Sequence, residues 1–234
     1  MNYTVIGSNR DTLCANNEVT FLNIECSESL LEMNKFKVKN SEGDVIYKCK
    51  MNPIRRETHK ITDAKDKTIA KFRLDMNNDL TGFNIYINSK NDNLEKEKDF
   101  VKNDYINFSV QPYDCSEDDE IRKYEINFFN KATGKNALIE LIDRSYHTSN
   151  VSTCTVFDFK VYDGKQEFNA PLICDVSQSY SFDSKCSVSI QPGVEPLFIV
   201  VLYLCVYILR SYKFSKDANG KYLLPILLTA AAAI

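Results

Sequence analysis

The chain has 234 residues, 44% of them hydrophobic, so it can bury a sizeable core, and one all-β domain of this size would be ordinary. Its net charge of -3 excludes little, but the charge is unevenly distributed. Lys35 to Arg73 contains twelve Lys and Arg against five Asp and Glu, whereas Asn91 to Glu120 contains ten acidic residues against three lysines. The first region suits anionic partners and the second repels them.

The beginning of the chain and the cysteines bear on the cellular compartment. Eight cysteines, with Asn-X-Ser/Thr sequons at Asn2, Asn107 and Asn150, superficially suggest a secreted domain. However, the first residues show neither a basic nor an apolar region of a signal peptide. Cys205 lies in an apolar run, which leaves an odd number of other cysteines, and no pair has zinc or redox spacing. We therefore expect free cysteines and a cytoplasmic protein.

A basic hairpin is the first clear element. Val19 to Ile24 is rich in β-formers, and Lys35 to Lys39 then alternates strictly between lysines and apolar residues. Asn40 to Asp44 supplies a turn, and Asp44 to Cys49 returns as a partner strand. Two further lysines share one face of the return strand, and an arginine pair follows. The candidate lipid-binding residues are Lys35, Lys37, Lys39, Lys48, Lys50, Arg55 and Arg56.

Two interpretations of this basic face remain open. Guanidinium groups grip phosphate bidentately, lysines supply point charge, and each basic residue near an anionic leaflet contributes about 1 kcal/mol. Five or six of them together would give a salt-sensitive attachment to an anionic phospholipid surface. Alternatively, the lysines are only the solvated face of a strand and protect it against aggregation.

Strand patterns continue along the chain, with turn clusters at short intervals. No stretch between them has an amphipathic helical pattern of useful length, which favours antiparallel hairpins over βαβ units. Asn91 to Asp104 has almost no apolar content and is expected to be a surface loop. The remaining predicted strands are Lys60 to Asp63, Thr68 to Leu74, Phe83 to Ile87, Asn107 to Val110, Tyr124 to Phe129, Ala137 to Leu141, Val156 to Tyr162, Ala170 to Asp175 and Ser187 to Ile190.

An unbroken apolar run from Leu197 to Leu209 follows the strands. As a helix it would span only about 20 Å, whereas a bilayer core needs about twenty apolar residues. A helix that is apolar on every side must be surrounded by protein rather than packed on one face. Glu195 and Pro196 suit its beginning, and Arg210 and Lys213 suit its end. About a dozen strands precede it, which is enough to wrap around it.

The order and spacing of three segments resemble the LURP-one-related proteins. These segments are Phe36 to Lys50, Ile61 to Arg73, and Ser187 to Val201, and the resemblance covers about Val19 to Arg210. That family belongs to the tubby C-terminal-like superfamily, which also includes the phospholipid scramblases. The resemblance implies a closed antiparallel β-barrel of about twelve strands that encloses one C-terminal hydrophobic α-helix.

The domain organisation follows from these elements. We predict an N-terminal extension at 1–17, a tubby-like barrel at 18–212 with its helix at 196–210, and a C-terminal tail at 213–234. The apolar part of this tail, Tyr222 to Ile234, is interrupted by Pro225. It is expected either to pack on the barrel end or to touch a membrane.

Few residues are candidates for catalysis or metal binding. His59 and His147 are far apart and are expected at surface or loop positions. Asp63 and Asp66 look like turn formers, and the run Glu117 to Glu120 lacks the ligand spacing of a calcium loop. No catalytic motif, phosphate-binding loop, metal-ligand pattern or nucleic-acid recognition module is present. The sequence therefore predicts a protein that is not an enzyme and has no cofactor.

Three functional hypotheses remain. The first is a non-enzymatic barrel that binds anionic lipid, such as a phosphoinositide, or a protein partner through its basic face; the resemblance implies this because tubby-type members are phosphoinositide-binding adaptors. The second is a scramblase-like lipid-transport protein. In scramblase-like proteins the segment before the helix is acidic and associated with calcium. Here that segment offers only Asp183, and this difference weakens the second hypothesis. The third is a single-span membrane-anchored protein with the basic stop Arg210, Lys213 and Lys216.

Overall fold

A computed structural model describes residues 6, 18–27, 34–51, 59–76, 82–88, 105–109, 121–130, 132–147, 155–178, 185–213 and 226–227. Antiparallel strands dominate these residues, with one α-helix near the C-terminus. The principal strands are β1 Thr20–Ser27, β2 Asn34–Lys39, β3 Val45–Met51, β4 His59–Asp63, β5 Thr68–Met76, β6 Gly82–Asn88, β7 Tyr105–Ser109, β8 Arg122–Asn130, β9 Lys135–Asp143, β12 Asp158–Tyr162, β13 Leu172–Gln178 and β14 Lys185–Ile190. The helix α1 is Pro196–Ser211. Shorter elements are β10 Tyr146–His147, β11 Thr155–Val156, β15 Tyr212–Lys213, β16 Ile226–Leu227 and a 3-10 turn at Gln166–Phe168.

The principal strands form one continuous antiparallel ring. Its order is β1, β14, β13, β12, β9, β8, β7, β6, β5, β4, β3 and β2, and β1 pairs with both β14 and β2. The short strands form two separate pairs, β10 with β11 and β15 with β16. The topology follows the order of the chain, since most neighbours in the ring are also neighbours in the sequence. The predicted mainly β, antiparallel architecture with one C-terminal helix is confirmed.

The strands alternate between the core and the solvent as the sequence pattern indicates. In β2, Asn34, Phe36 and Val38 are buried while Lys35 and Lys37 are exposed. Successive side chains of a strand point to opposite faces, so each apolar position on this strand lies inside the ring and each of these lysines lies outside it.

The helix α1 fills the space inside the ring. Every side chain from Leu197 to Ile208 is buried, and these residues share one core cluster with the inward residues of the strands. The Phe198 ring lies 4.9 Å from that of Phe128, near the end of β8. The Tyr207 hydroxyl accepts a hydrogen bond of 2.6 Å from Nδ2 of Asn34, the first residue of β2. We name the barrel end near Phe128, where α1 begins, the entry end, and the end near Asn34 the exit end.

A residue near the start of the chain closes the entry end. Ile6 is 1% exposed and forms a parallel bridge with Val194. Its N–H donates to the Gly193 carbonyl at 3.1 Å, and its carbonyl accepts from the Glu195 N–H at 2.8 Å. The left-handed backbone of Gly193, with φ of 84°, forms part of this tight entry into the helix. The core therefore includes a residue of the predicted 1–17 extension.

None of the described helices is long and apolar enough to cross a bilayer. The five cysteines among the described residues are thiols that form no disulfide, as the sequence predicts for them: Cys26, Cys49, Cys174, Cys186 and Cys205. Asp63 is a turn former as predicted, because its Oδ1 accepts hydrogen bonds from the backbone N–H groups of Lys65 and Lys67, both at 2.9 Å.

The predicted surface or loop position of His59 is wrong. This residue begins β4 with an inward side chain that is 6% exposed, and its ring centroid lies 5.2 Å from that of Phe72. Side chains alternate between the two faces of β4, and the position of His59 is one that points into the ring, although the imidazole is polar. The acidic stretch Asn91 to Asp104, the run Glu117 to Glu120 and Asp183 lie outside the described residues.

Candidate anion-binding face

Four lysines on adjacent strands form one continuous row on the outer face of the barrel. Lys35 of β2 lies directly opposite Lys50 of β3, which lies opposite Lys60 of β4, and Lys60 in turn lies opposite Lys71 of β5. Neighbouring strands are about 4.8 Å apart, so the row spans about 14 Å. We call these four residues the lysine row. Three of them, Lys35, Lys50 and Lys60, are exposed, and Lys71 is half-buried.

A second, partly neutralised row runs beside it. Lys37 lies opposite Lys48 on one side and Glu25 on the other, and Glu25 also lies opposite Lys185 of β14. The Glu25 Oε1 atom accepts a hydrogen bond of 2.8 Å from Nζ of Lys39. One carboxylate thus lies among three lysines, and the surface around it remains positive.

Two of the sequence-predicted lysines are held by the barrel itself. Lys39 forms the ion pair with Glu25, and Nζ of Lys48 donates to Asp66 Oδ1 and to the Ala64 carbonyl oxygen, each at 3.0 Å. Asp66 occupies the left-handed region with φ of 63°, in the turn that connects β4 to β5. These two lysines have structural roles, and the exposed lysines of β2, β3 and β4 are Lys35, Lys37, Lys50 and Lys60.

The two central lysines of the row, Lys50 and Lys60, are expected to repel each other in the isolated barrel. Like charges directly opposite each other on paired strands are destabilising, and within the described part of the chain Lys37, Lys50 and Lys60 have no ion pair with a carboxylate. Protection of a sheet edge does not explain the lysines either. Each of β2, β3, β4 and β5 is hydrogen-bonded on both sides, so none of these strands is an edge.

Comparison with known proteins identifies the family. The sequence profile described as LURP-one-related matches residues 20–207, which is most of the chain. The chain belongs to the LURP-one-related family. No curated protein matches it. An X-ray structure of a protein from Arabidopsis thaliana is similar to this chain with a TM-score of 0.45 and 10% sequence identity, over 88% of this chain and 98% of that one.

The structure of this LURP-one-related chain changes the composition of the predicted site. Lys35, Lys37 and Lys50 share the outer face as expected, whereas Arg55 and Arg56 lie outside the described residues. Sequence reasoning missed Lys60 and Lys71. The alternation in β4 and β5 already indicates that each lies on an outward position, but their alignment with Lys50 depends on the pairing register.

Replacing Lys50 with threonine should stabilise this LURP-one-related barrel by roughly 0.5 to 1 kcal/mol, because Lys50 lies between two other lysines and threonine favours strands. Urea unfolding followed by circular dichroism at low salt measures the change. The control is Lys135→Thr, an exposed lysine at the start of β9 opposite Asn130, for which we expect a smaller gain. An equal gain at both positions, or a loss at Lys50, would show that the row carries no electrostatic cost.

Proposed function

We propose that this LURP-one-related protein is a non-enzymatic binder that attaches to the anionic surface of a phospholipid membrane through the lysine row. The observation that supports this proposal is the placement of four lysines in register on four adjacent strands. Lys50 and Lys60 lie directly opposite each other on strands that are not edges, and an anionic partner would relieve the repulsion between them.

The shape of the face favours a surface over a small ligand. Lys35, Lys37, Lys50 and Lys60 are exposed on the outside of the barrel. Flexible ammonium groups on such a face suit a field of headgroups, because lysine acts as a point charge without a fixed bonding geometry. At about 1 kcal/mol for each basic residue near the membrane, the row and Lys37 together give an attachment that is weak and sensitive to salt.

Sedimentation with vesicles tests the proposal. The vesicles contain phosphatidylcholine with about 30% phosphatidylserine, or phosphatidylcholine alone as the neutral reference. The test variant is Lys50→Glu/Lys60→Glu. The control, Lys65→Glu/Lys135→Glu, makes the same change of net charge at two exposed lysines outside the row.

We expect the native chain and the control to bind the anionic vesicles similarly. The row variant should lose more than about 30-fold in affinity, since about 2 kcal/mol comes from the two lost attractions alone. Binding of the native chain should also fall steeply as salt is raised. If both variants lose the same affinity, binding depends only on net charge, and the lysine row is not the attachment site. If the native chain does not bind anionic vesicles, the proposal of membrane attachment is wrong, and an acidic protein becomes the next candidate partner for the lysine row.

A further inference from the structure

The connection between β12 and β13 lies on the side of the barrel opposite the lysine row. In the ring of twelve strands, β9 is six positions from β3, and β12 is six positions from β4. The strands β9 and β12 are therefore diametrically opposite the middle of the lysine row. The connection, Asp163 to Pro171, begins directly after β12 and contacts the outer faces of β9 and β8. It faces away from any surface that the lysine row contacts.

Two carboxylates on these strands hold the connection in place. Glu125 of β8 lies directly opposite Glu140 of β9, and like charges in this arrangement are destabilising on their own. The Nζ atom of Lys165 lies 2.6 Å from Glu125 Oε1. The backbone N–H of Gln166 donates a hydrogen bond of 2.8 Å to Glu140 Oε2. The connection thus supplies a cation and a donor to the two carboxylates, and they fix its position on the barrel.

Hydrogen bonds within the connection also fix its backbone. The Phe168 N–H donates to the Lys165 carbonyl at 3.0 Å. The Asn169 N–H donates to the Gln166 carbonyl at 2.9 Å, and Asn169 has a φ of 58°, in the left-handed region that asparagine tolerates. The side-chain amide of Gln166 donates to the Tyr162 hydroxyl at 3.2 Å. The 3-10 turn of the connection is therefore held both by itself and by the strands beneath it.

This restrained connection presents an aromatic ring to the solvent. Phe168 is 76% exposed, more than any other large hydrophobic side chain that the structure describes. A single exposed hydrophobic residue is ordinary in a soluble protein. An aromatic ring on a backbone that is already fixed, however, loses little further conformational entropy when a partner covers it. Aromatic side chains of this kind account for much of the binding free energy in protein interfaces.

The charge around Phe168 selects the class of partner. The connection and the two strand residues that hold it contain four carboxylates and one lysine, namely Asp163, Glu167, Glu125, Glu140 and Lys165. Beside them, Lys160 and Asp175 lie 4.0 Å apart and add no net charge. Over all the described residues from 121 to 178 the charge is nearly balanced, with six basic and seven acidic side chains. The negative charge is thus local to the connection, so it attracts a basic segment and opposes a second copy of the same face.

We propose that the connection between β12 and β13 is a docking surface for a protein segment that combines basic with large apolar side chains. An apolar side chain of this segment packs on Phe168, and its lysines or arginines lie beside Glu167 and Asp163. The inference goes beyond the proposed function and does not depend on it. Because the connection and the lysine row lie on opposite sides, a bound segment and a bound membrane do not compete for the same surface.

A peptide library supplies the probe. Short random peptides displayed on phage are selected on the immobilised full-length protein, and the enriched peptides are synthesised with a fluorophore for anisotropy titrations. The first test variant is Phe168→Ser. Its matched control is Phe21→Ser, the same change at an aromatic residue that is 59% exposed on β1, five positions from β8 in the ring. The second test variant is Glu167→Lys, and its control, Glu42→Lys, makes the same change of net charge in the exposed turn between β2 and β3.

We expect the enriched peptides to contain lysine or arginine together with aromatic or large aliphatic residues. Phe168→Ser should weaken their binding by about 10-fold or more, because it removes the aromatic contact. Glu167→Lys should weaken it by about 5-fold. Both controls should bind like the native chain, and the affinity of the native chain should fall as salt is raised.

Three results would overturn this inference. One is the absence of peptides enriched over a surface without protein, or enriched peptides that bind Phe168→Ser as tightly as the native chain. Another is enrichment of acidic peptides alone, with binding that Lys50→Glu/Lys60→Glu removes, which would place the contact at the lysine row. The third comes from sedimentation velocity of the native chain. Self-association that Phe168→Ser abolishes would assign this surface to a second copy of the chain instead of a basic segment.

Discussion

Replacing Leu202 with aspartate is expected to unfold the barrel. Leu202 lies in the middle of α1 and is 0% exposed, and the side chains before and after it, Val201 and Tyr203, are buried as well. An aspartate there would place an unpaired carboxylate among apolar groups, at a cost of more than about 5 kcal/mol. Since a domain of this kind is stable by about 5 to 15 kcal/mol, this one change removes most or all of the stability.

Circular dichroism and urea titration measure the effect, with Phe21→Asp as the matched control. Phe21→Asp makes the same apolar-to-acidic change on the outer face of β1, where the Phe21 side chain is 59% exposed. We therefore expect the free energy of unfolding to fall by about 1 kcal/mol or less. A folded, cooperatively unfolding Leu202→Asp protein would contradict the position of the helix inside the ring. It would reopen the hypothesis that the apolar run serves a membrane.

Alkaline solution is expected to destabilise the protein through its buried thiols. Burial raises the pKa of Cys49 to about 12. Burial also raises the pKa of Cys186 to about 12, where the charge of Asp158 adds to the effect and a hydrogen bond with Tyr203 opposes it. The pKa values of Cys174 and Cys205 are raised as well, mainly because both thiols are desolvated; Asp175 and Cys186 add to the effect at Cys174, and Cys49 adds to it at Cys205. In the unfolded chain these thiols ionise near pH 9.

The sign of the pH dependence follows from proton binding. Below pH 9 the thiols are protonated in both states, so their contribution to stability is fully present. Between pH 9 and about 12 the unfolded chain loses thiol protons that the folded protein retains, so the free energy of unfolding falls as the pH rises. At pH 10 each thiol lowers the free energy of unfolding by about 1 to 2 kcal/mol, and the four together lower it by about 6 kcal/mol.

Urea unfolding at several pH values from 8 to 10, in the presence of a reductant, measures this loss. Other groups also titrate in this range, so the decisive comparison is with Cys49→Ala. This variant has one ionisable thiol fewer, and we expect its loss of stability between pH 8 and 10 to be smaller by about 1 kcal/mol. Identical pH dependence in the two proteins would mean that the Cys49 thiol is not desolvated in the folded state.

Most of the architecture was predictable from local patterns. Lys35 to Lys39 alternates with a period of two, and β2 has the corresponding alternation of exposed and buried side chains. The apolar run from Leu197 to Leu209 lacks a polar face, and α1 is accordingly surrounded by the inward residues of the strands. The core contact of Ile6 was not predictable, because a single bridge between distant residues leaves no periodic signal.

The candidate site was predictable only in part. Lys35, Lys37 and Lys50 lie on one hairpin, so a short turn and the strand parity suffice to place them on one face. Lys60 and Lys71 join them through the register of two further strand pairs. Whether a lysine in this region is available also depends on distant partners, as Glu25 shows for Lys39 and Asp66 for Lys48.

By itself, the sequence determined the secondary structure, the enclosure of the apolar helix and the family, because these depend on hydrophobic periodicity and on the order of motifs along the chain. The tertiary structure decided which lysines form a continuous row and which are neutralised. It also decided that His59 is buried. These properties depend on strand register and on which side chains point into the ring, and both bring together residues that no local pattern connects.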